Sequence, residues 1–152
     1  MAGFTNRGKK LIFEWVFLRT ASLPTNFYLA LVTNAAAPGP DTKTLSQLTQ
    51  IAAGNGYSDG GYQLTPGATD FDVLTEDDLN DKAILMIKDI IWTASGGSLP
   101  SVGNGARYAV LTTDEGTIGN RQVLKYWDLV SDRSVAVGVQ LKLVDLQGEL
   151  TE

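Results

Sequence analysis

Hydrophobic residues near the start of the chain recur at helical spacing. One face of the predicted helix is formed by Leu11, Ile12, Trp15 and Leu18. Phe13, Val16 and Phe17 widen that face, so we expect the helix to be buried on more than one side. Thr5 or Asn6 is suited to cap its first turn. A strand is the alternative interpretation, because β-branched and aromatic residues cluster in the same segment.

The rest of the chain alternates between apolar runs and turn residues. Residues 42–53 predict a short helix, because Leu45, Leu48 and Ile51 share one side of it. Residues 106–113 and 121–129 flank a turn and predict a hairpin. The remaining predicted strands are a core strand at 26–33, a short or edge strand at 62–67 and a half-exposed final strand at 139–146. Residues 83–95 predict a long strand that is largely covered on both faces, with a bulge as an option.

These elements predict a mainly β fold with an N-terminal helix and one short helix. We expect an antiparallel system of five to seven strands, packed as a sandwich or an open barrel. The 152 residues show no repeat and no boundary, so we interpret residues 1–152 as a single domain. A domain of this length buries roughly 70% of the surface that its unfolded chain exposes.

The stretch GNGYSDGGYQL, residues 54–64, resembles a phosphate-binding loop only superficially. Gly54 and Gly56 fit the first two glycines of a dinucleotide fingerprint, but Asp59 stands where the third belongs. An acid there repels pyrophosphate, and the stretch precedes a predicted strand instead of a helix. We therefore interpret it as a turn in which glycines supply positive φ angles before a strand begins.

Residues 70–81 form an acidic segment whose carboxylates are candidate metal ligands. Asp70 and Asp72 begin like a calcium loop, but Leu74 occupies the next ligand position and no glycine follows it. The spacing excludes an EF-hand and leaves open a structural Ca²⁺ held between loops. A solvated acidic loop is the simpler interpretation, and we predict no cofactor and no metal.

The composition removes most catalytic chemistry. The chain contains no cysteine and no histidine, so thiol nucleophiles, disulfides and a Ser-His-Asp triad are excluded. A carboxylate pair for glycoside hydrolysis has no signal above the general abundance of acids. Trp15, Trp92 and Trp127 are suited to line a sugar groove, but each lies in an apolar run that favours core packing. We predict that the protein is not an enzyme.

The charge balance limits the choice of partners. The formal net charge is −5, which disfavours contact with nucleic acid unless a patch is locally basic. The basic cluster is Arg7, Lys9 and Lys10, which is too short for a nucleic-acid arm. The apolar run at 11–18 is interrupted by Glu14 and falls short of a signal peptide or a membrane span. We expect a protein made in the cytoplasm, with no membrane partner.

A series of segments resembles a common type of virion protein from tailed bacteriophages. The segments are FYLAL, LSQLTQI, GNGYSDGGYQL, IKDIIWTASGG, GARYAVLTTD and KYWDL, in this order between residues 27 and 129, and the opening FTNRGKKLIFEWVF is similar to the same type. The resemblance covers nearly the whole chain. Its motifs are turn and strand motifs, so they indicate a fold more than an activity.

The resemblance implies a small structural protein of the phage particle, most like a capsid decoration (cement) protein. Such a protein binds the major capsid protein on the outer surface of the virion, stabilises neighbouring capsomers and is often a homotrimer. The stretch 2–10, with Arg7, Lys9 and Lys10, is the candidate capsid contact, and an ordinary lead-in to the helix is the alternative. A tail or tail-fibre component, as adaptor or receptor-binding module, is the alternative function.

Overall fold

A computed structural model describes residues 2–151 and places a short strand and a helix at the start of the chain. Strand β1 is Ala2–Phe4 and helix α1 is Asn6–Phe13, which continues as a π-helical turn over Glu14–Leu18. The helical segment therefore covers residues 6–18. It ends at Arg19, whose φ of 52° is left-handed. The predicted N-terminal helix is confirmed.

The larger sheet has five strands in the order β1-β8-β7-β2-β3. Its pairings are antiparallel throughout. The strands other than β1 are β2 (Phe27–Val32), β3 (Tyr62–Leu64), β7 (Ala106–Thr112) and β8 (Val123–Arg133). Strands β7 and β8 form the predicted hairpin, and β2 is the predicted core strand.

The second layer is a ribbon of antiparallel strands. Strands β4 (Val73–Asp77), β5 (Lys82–Ile87) and β10 (Leu146–Thr151) form a sheet in the order β10-β5-β4. Strands β6 (Ile90–Thr93) and β9 (Gln140–Leu143) pair separately. Because β5 leads into β6 and β9 leads into β10, the two pairs are halves of one ribbon that kinks between residues 87 and 90.

The kink explains why one predicted strand is divided in the structure and another ends early. The predicted strand at 83–95 becomes β5 and β6, and the predicted final strand at 139–146 ends at β9 before β10 begins. The backbone N–H of Lys88 leaves the ribbon and donates to the carbonyl of Asp70 at 3.1 Å. Asp145 adopts a φ of 53° on the opposite strand. The backbone therefore bends inside a segment whose apolar residues alternate without a break in the sequence.

The main core lies between the larger sheet and the ribbon. Leu29 and Leu31 of β2 pack there with Trp92, Leu141 and other apolar residues of the ribbon. Ala30 and Val32 point to the opposite side of the sheet, where Leu45 and Leu48 cover them in a second cluster. Both faces of β2 are thus buried, which accounts for its unbroken run of apolar residues.

The predicted fold class is confirmed: the protein is mainly β, with antiparallel sheets in an open, sandwich-like arrangement and not a closed barrel. Residues 2–151 form ten strands, more than the five to seven predicted. The increase comes from the division of the predicted strand at 83–95 and from strands β1, β4 and β10, which were not predicted. The predicted short helix is a 3-10 turn at Leu45–Gln47, begun by a capping box at Thr44.

The glycine stretch is a turn that enters strand β3, as predicted. Gly54, Gly56, Gly60 and Gly61 all have positive φ angles. At Gly61 a Cβ atom would lie 2.0 Å from the carbonyl oxygen of Leu29, so the turn requires glycine for space as well as for φ. Within this turn Tyr57 is buried and reaches the backbone of β2.

One prediction about the helix is wrong. Phe13, Val16 and Phe17 were expected to widen its buried face, but all are exposed, with Phe17 exposing 73% of its surface. Gly8 and Leu11 form the buried side instead, against β8 and the main core. The helix therefore covers the sheet with one narrow side and presents apolar residues outward.

Candidate interaction surface

Helix α1 is fixed to the larger sheet by its first turn. The Thr5 hydroxyl donates to the carbonyl of Val123 at 2.5 Å and accepts the N–H of Gly8 at 2.8 Å. A Cβ atom on Gly8 would lie 2.3 Å from the carbonyl oxygen of Leu124, so the missing side chain lets the helix lie directly on β8. The surface that α1 presents is consequently held on a rigid support.

The structure brings Arg7 and Lys10 together and separates Lys9 from them. Arg7 Nε donates to the side-chain oxygen of Gln122, and Lys10 Nζ pairs with Glu14 at 2.5 Å. The Lys10 ammonium lowers the pKa of Glu14. Lys9 is exposed on the outer side of the helix. The stretch 2–10 is thus a paired strand and a helical turn, and not a loose arm.

Arg7 and Lys10 lie at the edge of a polar depression of about 610 Å³. Lys43 contributes a third cation, while Asp41 and Glu115 supply acidic groups. Hydrogen bonds from Asn6 to Asp41 at 3.0 Å and from Gln122 to Glu115 at 2.8 Å hold the walls. We call this region the polar depression. Sequence reasoning missed Lys43, because it lies far along the chain in a turn beside no other base.

The outer side of residues 13–18 forms an apolar surface that we call the helix ridge. Its members are Phe13, Val16, Phe17 and Leu18, which are all exposed. The rings of Phe13 and Phe17 contact each other, with centroids 5.9 Å apart. Four neighbouring apolar side chains on one helix are more than the scattered exposed residues that any surface carries.

An apolar groove of about 520 Å³ lies between the inner edge of the helix and the sheet β10-β5-β4. Trp15 and Phe27 line it from the helix side, and their rings meet edge to face at 6.3 Å. Leu74, Leu85 and Leu150 line it from the ribbon side. We call this cavity the apolar groove. Sequence reasoning missed it because its walls come from distant segments, some of which read as core and one, with Leu74, as a solvated loop.

Lys125 lies at the side of the apolar groove and is almost fully buried. Its ammonium sits 4.7 Å from the centroid of the Phe4 ring and 5.4 Å from that of Trp127. Burial lowers the pKa of Lys125. The two rings stabilise the charged form through cation–π contact, and the nearby Glu149 carboxylate favours that form as well.

The acidic segment folds as a hairpin and not as a loop. Glu76, Asp77, Asp78 and Asp81 surround the turn between β4 and β5, next to the apolar groove. Among residues 2–151, no group of three acidic side chains is arranged to hold a metal ion. Asp70 lies apart from the turn and pairs with Lys88.

The three tryptophans do not line a common groove. Trp92 and Trp127 belong to the main core, as predicted, Trp15 is half-buried, and both Trp15 and Trp127 line the apolar groove. Trp15 Nε1 donates to the carbonyl of Ser22 at 3.1 Å, which ties the end of the helix to the following loop. The arrangement therefore favours packing roles for these side chains.

No family model, no curated protein and no solved structure matches the chain. In the part of the chain that the structure describes, no helix has the length and apolar character needed to cross a bilayer.

Proposed function

We propose that this chain is a capsid decoration protein of a tailed bacteriophage. In this role it binds the outer shell and stabilises contacts between capsomers through surface complementarity, without catalysis. The proposal rests on the ordered segments between residues 27 and 129 that resemble virion proteins of this type. The mainly β fold agrees with what that resemblance implies.

The polar depression is the surface that we assign to the major capsid protein. The main observation behind this assignment is that Arg7 and Lys10, on a helix turn held against the sheet, lie in the same depression as Lys43. These cations favour an acidic patch on the shell, although Asp41 and Glu115 line the same depression, and the ordered helix turn avoids a large entropic cost on binding. Many copies on one lattice convert modest contacts into lasting attachment through avidity. The proposed assembly is a homotrimer on the capsid surface.

Cryo-electron microscopy of the phage particle that carries this chain tests the proposal. We expect density for the β-rich body at regular positions on the outer shell, with the polar depression facing the major capsid protein. Density confined to the neck, tail or fibres would reject the decoration role and support the alternative of a tail component. Absence from the particle would reject both.

A further inference from the structure

The helix ridge and the apolar groove are two surfaces of similar character on different sides of the same helix. The ridge residues Phe13, Val16, Phe17 and Leu18 are exposed, and none of them lines the chain's own groove. The groove is formed with Ile12 and Trp15 on the inner edge of the helix. A chain therefore cannot fill its groove with its own ridge, but a neighbouring chain can supply one.

The charges around the two surfaces are opposite. Lys9 lies one turn before Phe13 on the same side of the helix, and Arg19 follows the ridge directly; both are exposed. The groove ends at the acidic turn, and the cavity there shares Ala83 and Leu150 with it. The acids of that turn are Glu76, Asp77, Asp78 and Asp81. A ridge entering a partner's groove would bring cations toward these acids.

The area available is of the size that a stable contact between copies needs. Phe13 and Phe17 are 59% and 73% exposed, and Val16 and Leu18 are 58% and 66% exposed. With roughly 150–250 Å² for an aromatic side chain, the ridge offers on the order of 450 Å². One ridge in one groove removes on the order of 600 Å² from water, because the groove exposes less area than the ridge, and two such contacts reach ~1,200 Å², the lower end of the range for stable interfaces.

We propose that a second copy of this chain occupies the apolar groove by inserting its helix ridge. The Phe13–Phe17 pair enters between Trp15 and Leu74 of the partner copy's groove, and Lys9 approaches the partner copy's acidic turn. Two copies that exchange ridges reciprocally form a closed dimer, whereas a head-to-tail exchange closes into a ring, such as the homotrimer proposed above, only where the rotation between copies allows closure. In either case each copy uses both of its surfaces.

The mass of the purified full chain, measured by analytical ultracentrifugation over a wide concentration range, tests this proposal without any capsid. We expect a defined oligomer. The ridge variant Phe13→Ser with Phe17→Ser, and the groove variant Leu74→Glu, should each raise the dissociation constant about a hundredfold or more. Leu74 is 75% exposed, so folding should be unaffected, which circular dichroism verifies. Val102→Ser, at an equally exposed residue in a distant loop, is the matched control and should leave the mass unchanged.

Mixing the two variants distinguishes ridge-in-groove docking from any other self-association. The ridge variant keeps an intact groove and the groove variant keeps an intact ridge, so the mixture should form a mixed complex although each variant alone is monomeric. Failure of the mixture to associate would overturn the proposal. An oligomer that survives the ridge variant would overturn it too.

A charge exchange adds a test of orientation. Lys9→Glu should weaken association, and adding Asp78→Lys to the same chain should restore it at low salt, because the new pair again has opposite signs. Lack of restoration counts against the proposed orientation.

Other occupants of the groove lead to different results. A wild-type monomer at all concentrations would overturn the proposal, whether the ridge then binds phosphatidylcholine vesicles, an acidic amphiphile or isolated capsid shells. The capsid proposal would survive that result, because it rests on the polar depression and not on the ridge.

Discussion

Single hydroxyl groups secure the glycine turn to the core, and Tyr57 is the clearest case. Its hydroxyl oxygen accepts the backbone N–H of Leu31 at 2.9 Å in a site where the side chain is almost fully buried. Burial also raises the pKa of Tyr57. The turn residues 54–61 thereby gain a fixed point inside a strand that is covered on both faces.

Removing that hydroxyl should destabilise the protein measurably. Tyr57→Phe leaves a buried N–H without this acceptor, so we expect the free energy of unfolding to fall by about 1–2 kcal/mol. Urea denaturation followed by tryptophan fluorescence measures the loss. Tyr28→Phe is the control, because the Tyr28 hydroxyl bonds only the exposed Gln63 side chain at 3.2 Å. Equal losses in the two variants would show that the buried hydrogen bond contributes no more stability than the exposed one.

Asp70 makes the stability of the fold depend on pH in acidic solution. The Lys88 ammonium and then the backbone N–H of Thr65 lower its pKa, and Asp70 in turn raises the pKa of Lys88. A carboxyl whose folded pKa is lowered stabilises the fold above its unfolded pKa of about 3.9 and loses that contribution as pH falls through the folded value. The contribution is therefore present at neutral pH.

The substitution Asp70→Asn should flatten the acid side of the stability profile. We expect lower stability than the wild type at pH 7 and a smaller decrease from there to strongly acidic solution, because the neutral amide has no proton to gain. Denaturant midpoints across that range measure both effects. Asp78→Asn, in the exposed acidic turn, should keep the wild-type profile. A profile for Asp70→Asn parallel to that of the wild type would contradict the assigned role of the ion pair.

At the scale of elements, the contact of α1 with β8 depends on the absence of one side chain. By helix propensity alone, Gly8→Ala should stabilise α1 by about 1 kcal/mol. The new Cβ atom, however, would overlap the backbone of Leu124. We expect the overlap to dominate, with a net loss of about 2–3 kcal/mol as the helix is pushed from the sheet. Thermal denaturation measures it, with Gly116→Ala in open space as the control. A stabilised Gly8→Ala variant would mean that the helix is free to shift.

Elements were predicted correctly where the residue pattern of a segment matches its burial in the structure. Strand β2 and the β7–β8 hairpin are examples, because apolar runs and turn residues mark their ends. Strand β4 was missed because Thr75, Glu76 and Asp77 read as solvated loop, and only pairing with β5 makes them a strand. The kink was missed because Lys88 and Asp89 do not disturb the alternation of their neighbours.

The candidate surfaces were harder to predict than the elements, for a physical reason. A segment that is apolar all round is typical of a buried helix, so Phe13 and Phe17 were assigned to the core. Within a single chain nothing covers them, and sequence spacing carries no information about a second chain. Arg7 and Lys10 were found because they are adjacent in sequence, but Lys43 and the apolar groove arise only from the packing of distant segments.

At the scale of the whole molecule, the polar depression should control attachment to the shell. Reversing two of its bases with Lys10→Glu and Lys43→Glu should slow association with undecorated capsids, most strongly at low salt, where charges are least screened. Reversal of a rim charge acts mainly on the association rate, and we expect a decrease of about tenfold. Surface plasmon resonance on immobilised capsids measures it.

The control for this experiment combines Lys142→Glu on β9 with Arg133→Glu on β8, because both residues are exposed, lie outside the depression and together change the net charge by the same amount. Because Lys9 and the helix ridge are unchanged in both variants, the oligomeric state should also be unchanged. Equal loss of attachment in the control would indicate a response to net charge alone and remove the depression from the proposed contact.

The kinked ribbon also constrains how sequences of this kind diverge. Ile87 pairs with Leu146 before the kink and Ile90 pairs with Leu143 after it, so the bend occupies two residues of each strand. Losing or gaining one residue on one strand alone would turn every later side chain of that strand to the opposite face. A change of one residue at this bend therefore requires either a β-bulge or a matching change on the other strand, so the lengths of two segments that are distant in the sequence depend on each other.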